Sequence, residues 1–171
     1  METTTLPTSL DAELLLLNPE QFRTYQPLPN NVQDQHFSAE LYLVHQVVAR
    51  RLLGSGLYES LISAIAFGTE ASPAGPYDDL LKVLRPCLAA WAYKYALPNF
   101  WQLLSPAIAN TKGDNLLSTS PQLLALMAKQ RLVAEAWTQQ LVQHLQDHPD
   151  LYPNFELLAS ARGYMGSPKL F

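Results

Sequence analysis

Charge and cysteine are both scarce in this chain, and each scarcity narrows what the chain can be. One cysteine in 171 residues excludes a disulfide framework and any cysteine-based zinc site. Only 15% of the residues are charged, 11 basic and 15 acidic, for a net charge of -4. That balance opposes electrostatic capture of nucleic acid. So thin a charge cover suggests that part of the surface is hidden against a partner. Long apolar runs are missing too. The richest window, 80–104, is interrupted by Lys82, Arg85, Pro86, Lys94 and Pro98, so no membrane span is expected. The first residues carry no basic n-region, and Leu14 to Leu17 is too short a run for a signal segment, which makes a cytoplasm the simplest compartment. With 48% hydrophobic residues the chain can bury a sizeable core, as one compact domain or one domain with tails.

What is present is helical periodicity. Residues 1–31 hold Pro7, Pro19, Pro27 and Pro29 and read as an extended arm, within which Leu10 to Leu17 is a short helix or a sticky strand needing cover from this chain or a neighbour. Asn30 or Asn31 can cap the next element, where Phe37, Leu41, Val44, Val48 and Leu52 recur at helical spacing. The pattern predicts a helix over 32–53, stopped by Gly54, with Ser55 able to cap a second helix over 57–67. Pro76 suits a first helical position, with Asp78 and Asp79 in the first turn. From there a third helix is expected over 76–104, kinked at Pro86 and either ended or bent at Pro98. Residues 105–120 centre on Gly113-Asp114-Asn115 and read equally as a small β-hairpin or an irregular excursion. Ser120-Pro121 opens a fourth helix over 121–147, with Leu123, Met127, Ala134, Trp137, Leu141 and Leu145 as its buried stripe. Pro149 ends it, and one more short helical turn fits 155–159. The expectation is an all-α, four-helix-type bundle over 32–156, with a long inter-helix excursion, an N-terminal arm (1–31) and a C-terminal docking tail (157–171).

Catalytic signals are weak wherever they occur. His144, Asp147 and His148 share a helix face, but no fourth metal ligand is evident and cationic histidine suits a helix C-terminus anyway. His36 and Glu40 stand at i, i+4 with no nucleophile near, and His45 follows the apolar Val44; structural roles are expected for both histidines. Cys87, between Pro86 and Leu88, reads as a buried small hydrophobe. Gly54-Ser55-Gly56 lacks the spacing of a nucleophile elbow, and no phosphate loop, dinucleotide fingerprint or HExxH is present. The carboxylates Glu59, Glu70, Asp78 and Asp79 form no glycosidase-like pair. Trp91, Tyr93, Tyr95, Phe100 and Trp101 read as core rather than a base-stacking platform, and Arg50-Arg51 and Lys82/Arg85 as salt-bridge partners. No enzyme, metal or cofactor is expected.

One resemblance gives the pattern a function. The stretch LLGSGLYESLISAIA, the run LLKVLRPCLAAWAYKYALPNFW, a turn-rich excursion and a long helix ending HLQDHPDLYPNF together resemble the small helical head–tail connector (adaptor) proteins of tailed bacteriophages, over about 32–156. The resemblance implies a ring of identical subunits, expected to be twelve-fold, beneath the portal protein at one capsid vertex. The ring would extend the DNA channel without specific DNA binding and dock a tail or stopper protein. It also implies partner-binding roles for the arms and the excursion: Leu14, Leu15, Leu16 and Leu17; Ile108, Lys112, Leu116 and Leu117; and Tyr164, Met165, Pro168, Leu170 and Phe171. The location implied is the virion neck, assembled in the host cytoplasm. Another neck, tail-completion or stopper component, or a non-viral cytoplasmic helical interaction module, is the alternative.

Overall fold

The computed structural model describes residues 16–67, 76–104 and 121–155, and within them the chain is all-α, four helices packed together with no strand. The N-terminal segment departs from the expected extended arm. From Leu16 onward it lies on the bundle and carries a helix of its own, α1 (Pro19–Tyr25). The Asn18 side chain accepts from the Gln21 amide at 2.8 Å and the Gln21 side chain accepts from the Asn18 amide at 3.1 Å, a reciprocal cap that Pro19 extends by supplying a preset first residue. Seven residues do not make a stable helix alone, so packing holds this one. Phe22 stacks on Phe37 at 4.7 Å between ring centroids, Arg23 pairs with Asp34 at 2.8 Å, and Arg85 donates to the Leu16 carbonyl at 3.1 Å. Leu16, Leu17 and Phe22 are fully buried, each contributing roughly 1.5–3 kcal/mol. Of the prolines that suggested an extended arm, Pro19, Pro27 and Pro29 instead bracket a short helix and a turn, and Pro7 lies outside the described residues.

The first long helix starts later than 32 and does not use Asn30 or Asn31 as its cap. A single 3-10 turn, Asp34–His36, comes first, with the Gln33 amide donating to His36 Nδ1 at 2.9 Å. Helix α2 (Ser38–Leu43) then passes into a π-helical segment, Val44–Ala49, and on into α3 (Arg50–Phe67). The apolar spacing explains the π segment. Phe37 to Leu52 completes four turns in fifteen residues, about 3.75 per turn against 3.6 for an ideal α-helix, and a wider stretch absorbs the surplus. Phe37, Leu41, Val44, Val48 and Leu52 are accordingly all fully buried on one side.

Gly54 interrupts α3 with φ 75° and ψ 160°, a conformation open essentially to glycine alone, and helical structure resumes at Ser55 rather than at 57. Helix α4 (Pro76–Leu104) runs through both Pro86 and Pro98. Cys87 to Ala92 are buried without interruption, so every side of α4 is covered there, and it forms the axis of the fold. On one flank packs α5 (Pro121–Asp147), antiparallel to α4, the most extensive contact in the molecule. The α2–π helix packs on another, its start beside the end of α4, where Asn99 donates to Glu40 at 2.7 Å. Leu123, Ala134, Leu141 and Leu145 of α5 are buried as expected, while Met127 and Trp137 are half-buried and Thr138 and Val142 complete the stripe. Past α5 the chain turns back, and Tyr152 is buried with its hydroxyl 3.2 Å from His144 Nε2.

Candidate functional site

The break at Gly54 shapes a concavity. Arg50 and Arg51, one turn before it, Gly54 itself, Ser55, Gly56 and Glu59 after it, and the returning segment at Pro153 and Asn154 enclose about 460 Å³. The two segments pass close at Gly56, where a Cβ would stand 3.4 Å from Asn154 Cβ, in ordinary van der Waals contact. The Arg50 guanidinium rests over the Tyr58 ring at 5.1 Å and makes no ion pair among the described residues, where the sequence suggested a salt bridge. Two guanidinium groups, a hydroxyl, an amide and one carboxylate give this concavity the chemistry of a polar binding surface. It was not legible beforehand as a site, because its two walls lie a hundred residues apart. The signal was the Arg-Arg pair four residues ahead of a glycine break.

A shallower hollow of about 350 Å³ lies between α2 and the end of α4, lined by Gln35, His36, Ala39, Glu40, Asn99 and Leu103. His36 and Glu40 both face it but do not pair. His36 Nδ1 accepts from Gln33 and Glu40 accepts from Asn99. Their expected structural roles are therefore visible as separate hydrogen bonds.

The other sequence candidates are spread through the fold. His144 and His148 stack at 4.7 Å, His148 Nδ1 lies 2.8 Å from the His144 carbonyl, and Asp147 accepts from Gln143 instead of joining them. Burial first, and then its neighbour His148, lowers the His144 pKa. Among the described residues no three His, Cys, Asp or Glu side chains converge as metal ligands. Lys82 does form the expected ion pairs, at 2.8 Å to Asp79 and 3.4 Å to Asp78, whereas Arg85 is spent on the Leu16 carbonyl. The hydrogen bond from Lys82 holds the Asp79 carboxyl below the usual carboxylate range.

Cys87 is fully buried, and desolvation pushes its thiol up to about 12, so it persists as an inert thiol, with Sγ 3.5 Å from Thr138 Oγ1. Thr138 also accepts from the Trp91 indole at 3.0 Å and donates to the Ala134 carbonyl at 2.9 Å. Trp91 and Phe100 are core residues; Tyr93 and Tyr95 are half-buried beside them, and Lys94 caps the Trp91–Tyr95 stack, 4.5 Å above the Tyr95 ring. Two side chains among the described residues stand out. The Trp101 indole nitrogen is buried without a hydrogen-bond partner among the described residues. His45 is fully buried, neither ring nitrogen has a hydrogen-bond partner among the described residues, and desolvation lowers its pKa to about 4.

Of the residues assigned to partner contacts, Leu16 and Leu17 belong to this chain's own core and are not available to a neighbour as folded. Leu14, Leu15, Ile108, Lys112, Leu116, Leu117, Tyr164, Met165, Pro168, Leu170 and Phe171 lie outside the described residues, as do nearly all of the turn expected at 155–159 and the whole excursion 105–120. Exposed apolar side chains that the periodic reading did not single out stand on α2, as Tyr42 and Leu43, and along the first half of α5, as Leu124, Leu126, Leu132 and Val133, with Leu132 67% exposed. No described helix is long and apolar enough to cross a membrane.

Comparison with known proteins places the chain in one family. Residues 49–162, about two thirds of the sequence, match the family of unknown function DUF6712, and the chain belongs to it. No curated protein and no solved structure matches. Both walls of the 460 Å³ concavity, 50–59 and 153–154, fall inside the matched region, one near each of its ends.

Proposed function

We propose that this chain is a structural subunit of a tailed-bacteriophage neck, a head–tail connector that forms a ring under the portal protein, extends the DNA channel and docks the tail. The observation that carries the reading is where the recognisable sequence stretches fall. LLGSGLY at 52–58 and PDLYP at 149–153 are far apart in sequence, yet they meet around the Gly54 concavity. LRPCLA at 84–89 forms the covered middle of α4. All three resembling stretches thus do structural work in one arrangement. Exposed apolar groups add support: those of α2 and those of α5 sit on two different elements flanking α4. Two unlike patches on different flanks suit head-to-tail contacts between identical copies, which close into rings when the rotation permits. The acidic balance suits a channel through which DNA slides without adhering.

The arms and the excursion at 105–120 are the proposed clasps between neighbours and onto the portal, with Leu16 and Leu17 removed from that set by their burial. Light scattering of the purified chain, alone and with a co-expressed portal protein, tests the proposal. A closed oligomer, or a monomer that assembles only on the portal, is the expected result. A monomer indifferent to the portal would leave a helical interaction module and end the connector reading. Deleting 160–171 should abolish assembly; a truncation that still forms rings would remove the tail from the interface.

A further inference from the structure

His45 is the second residue of the π segment Val44–Ala49, the one such segment among the described residues, and it is enclosed there with no exposed surface. Both ring nitrogens are without partners among the described residues. A neutral imidazole always carries one N–H and one lone pair, so this position leaves a donor and an acceptor unmet in the core. Such groups are rare in folded proteins, and π segments recur where a helix is required to do more than span a distance. A leucine would fill the same apolar stripe without that cost.

We propose that His45 is an acid-sensitive latch, whose protonation opens the packing of the α2–π helix against α4. The inference goes beyond the connector reading and does not depend on it. The elements packed on the π segment are α2, α3 and α4. Their charged groups are Glu40 on α2; Arg50, Arg51 and Glu59 on α3; and those of α4 from Asp78 to Lys94. No carboxylate among them lies within hydrogen-bond reach of a ring nitrogen, and burial depresses the imidazole's pKa. An imidazolium formed at this position would therefore meet no carboxylate, and opening is the way it regains solvent.

The direction follows from linkage. His45 binds its proton near pH 4 when buried and near its ordinary 6.5 when open, so acid favours the open form through that interval. Between pH 7.5 and 4.5 the open population should grow on the order of 50- to 100-fold, provided the open imidazole is fully solvated. The opening is local, because His144, the histidine on the α4–α5 side whose pKa is also lowered, is half-buried and meets the Tyr152 hydroxyl rather than being enclosed without a partner.

Hydrogen exchange of the whole chain, corrected for intrinsic rates, tests the latch. Protection of residues 41–53 should fall on acidification to pH 4.5 while that of 123–138 holds, and His45→Leu should keep both. Unchanged protection of 41–53 in the parent chain would overturn the proposal, and so would equal loss in His45→Leu. Should that variant fail to fold, the NMR titration of His45 in the parent chain decides. A midpoint near 6.5 in the folded state would end the idea, and one depressed below 5 together with selective loss over 41–53 would sustain it.

Discussion

Thr138 on α5 and His45 on the π segment are both fully buried polar residues, yet they stand in opposite conditions. Thr138 is engaged in three directions, by the Ala134 carbonyl, the Trp91 indole and the Cys87 thiol. His45 meets nothing polar among the described residues. The surrounding backbones differ in the same sense. The α4–α5 pair is α-helical throughout, with Pro86 and Pro98 inside α4, whereas the 38–67 stretch contains a π segment and a glycine break. A satisfied polar group inside a regular helix pair pins a unique register; an orphan inside an irregular helix leaves an interface easier to open. The comparison teaches that the two flanks of α4 were built for different degrees of permanence.

The largest effect expected on the irregular side comes from its apolar anchor. Leu17→Ala should cost about 2–5 kcal/mol in urea unfolding, since a fully buried leucine leaves a cavity. A loss under 1 kcal/mol would return Leu17 to the set of partner contacts. Acid comes next. Lowering the pH from 7 to 4 should remove roughly 3 kcal/mol through His45, because the depressed pKa of about 4 makes the unfolded chain the better proton acceptor below 6.5. His45→Leu should flatten that slope; an equally steep profile in the variant would erase the contrast with Thr138.

Gly54→Ala should destabilise by up to about 3 kcal/mol, because an alanine at φ 75°, ψ 160° is strained whatever space surrounds it. A neutral outcome would mean that the break is not required. On the α5 side, Thr138→Val should cost about 1–2 kcal/mol by removing the hydroxyl that accepts from the Trp91 indole in the core. The melting temperature would then fall roughly 2–4 °C per kcal/mol. If the valine variant were as stable as the parent, the satisfied network would carry no more weight than the orphan. The smallest effect belongs to Lys82→Ala, whose ion pairs with Asp78 and Asp79 lie in solvent; no change in melting temperature beyond experimental error is expected, with or without added salt.

Much of this architecture was legible from periodicity. The helices at 76–104 and 121–147 appear with those bounds, and the glycine stop after Leu53 is a break of the expected kind. Leu57 and Leu61 are buried as their spacing indicated, and Cys87 is as enclosed as its neighbours implied. The N-terminal segment misled because its prolines carry the same local signal in an extended arm and at the edges of a short helix. What separates the two is Phe22 lying on Phe37, a contact fifteen residues away. Thr138 escaped notice because a threonine in a leucine-rich helix declares no partner; only the approach of Trp91 and Cys87 from α4 supplies one.

By itself the sequence determined that this chain is helical and where most of its helices stop. Those properties are local: they depend on residues within a few turns and on backbone sterics that each residue carries with it. Tertiary structure alone decided that Arg50 and Asn154 share a concavity, that Leu16 and Leu17 serve this chain's own core, and that one buried polar side chain is satisfied while another is not. The reason is that a partner is a matter of place. Whether a buried hydroxyl or imidazole is paired depends on which distant helix the fold brings against it.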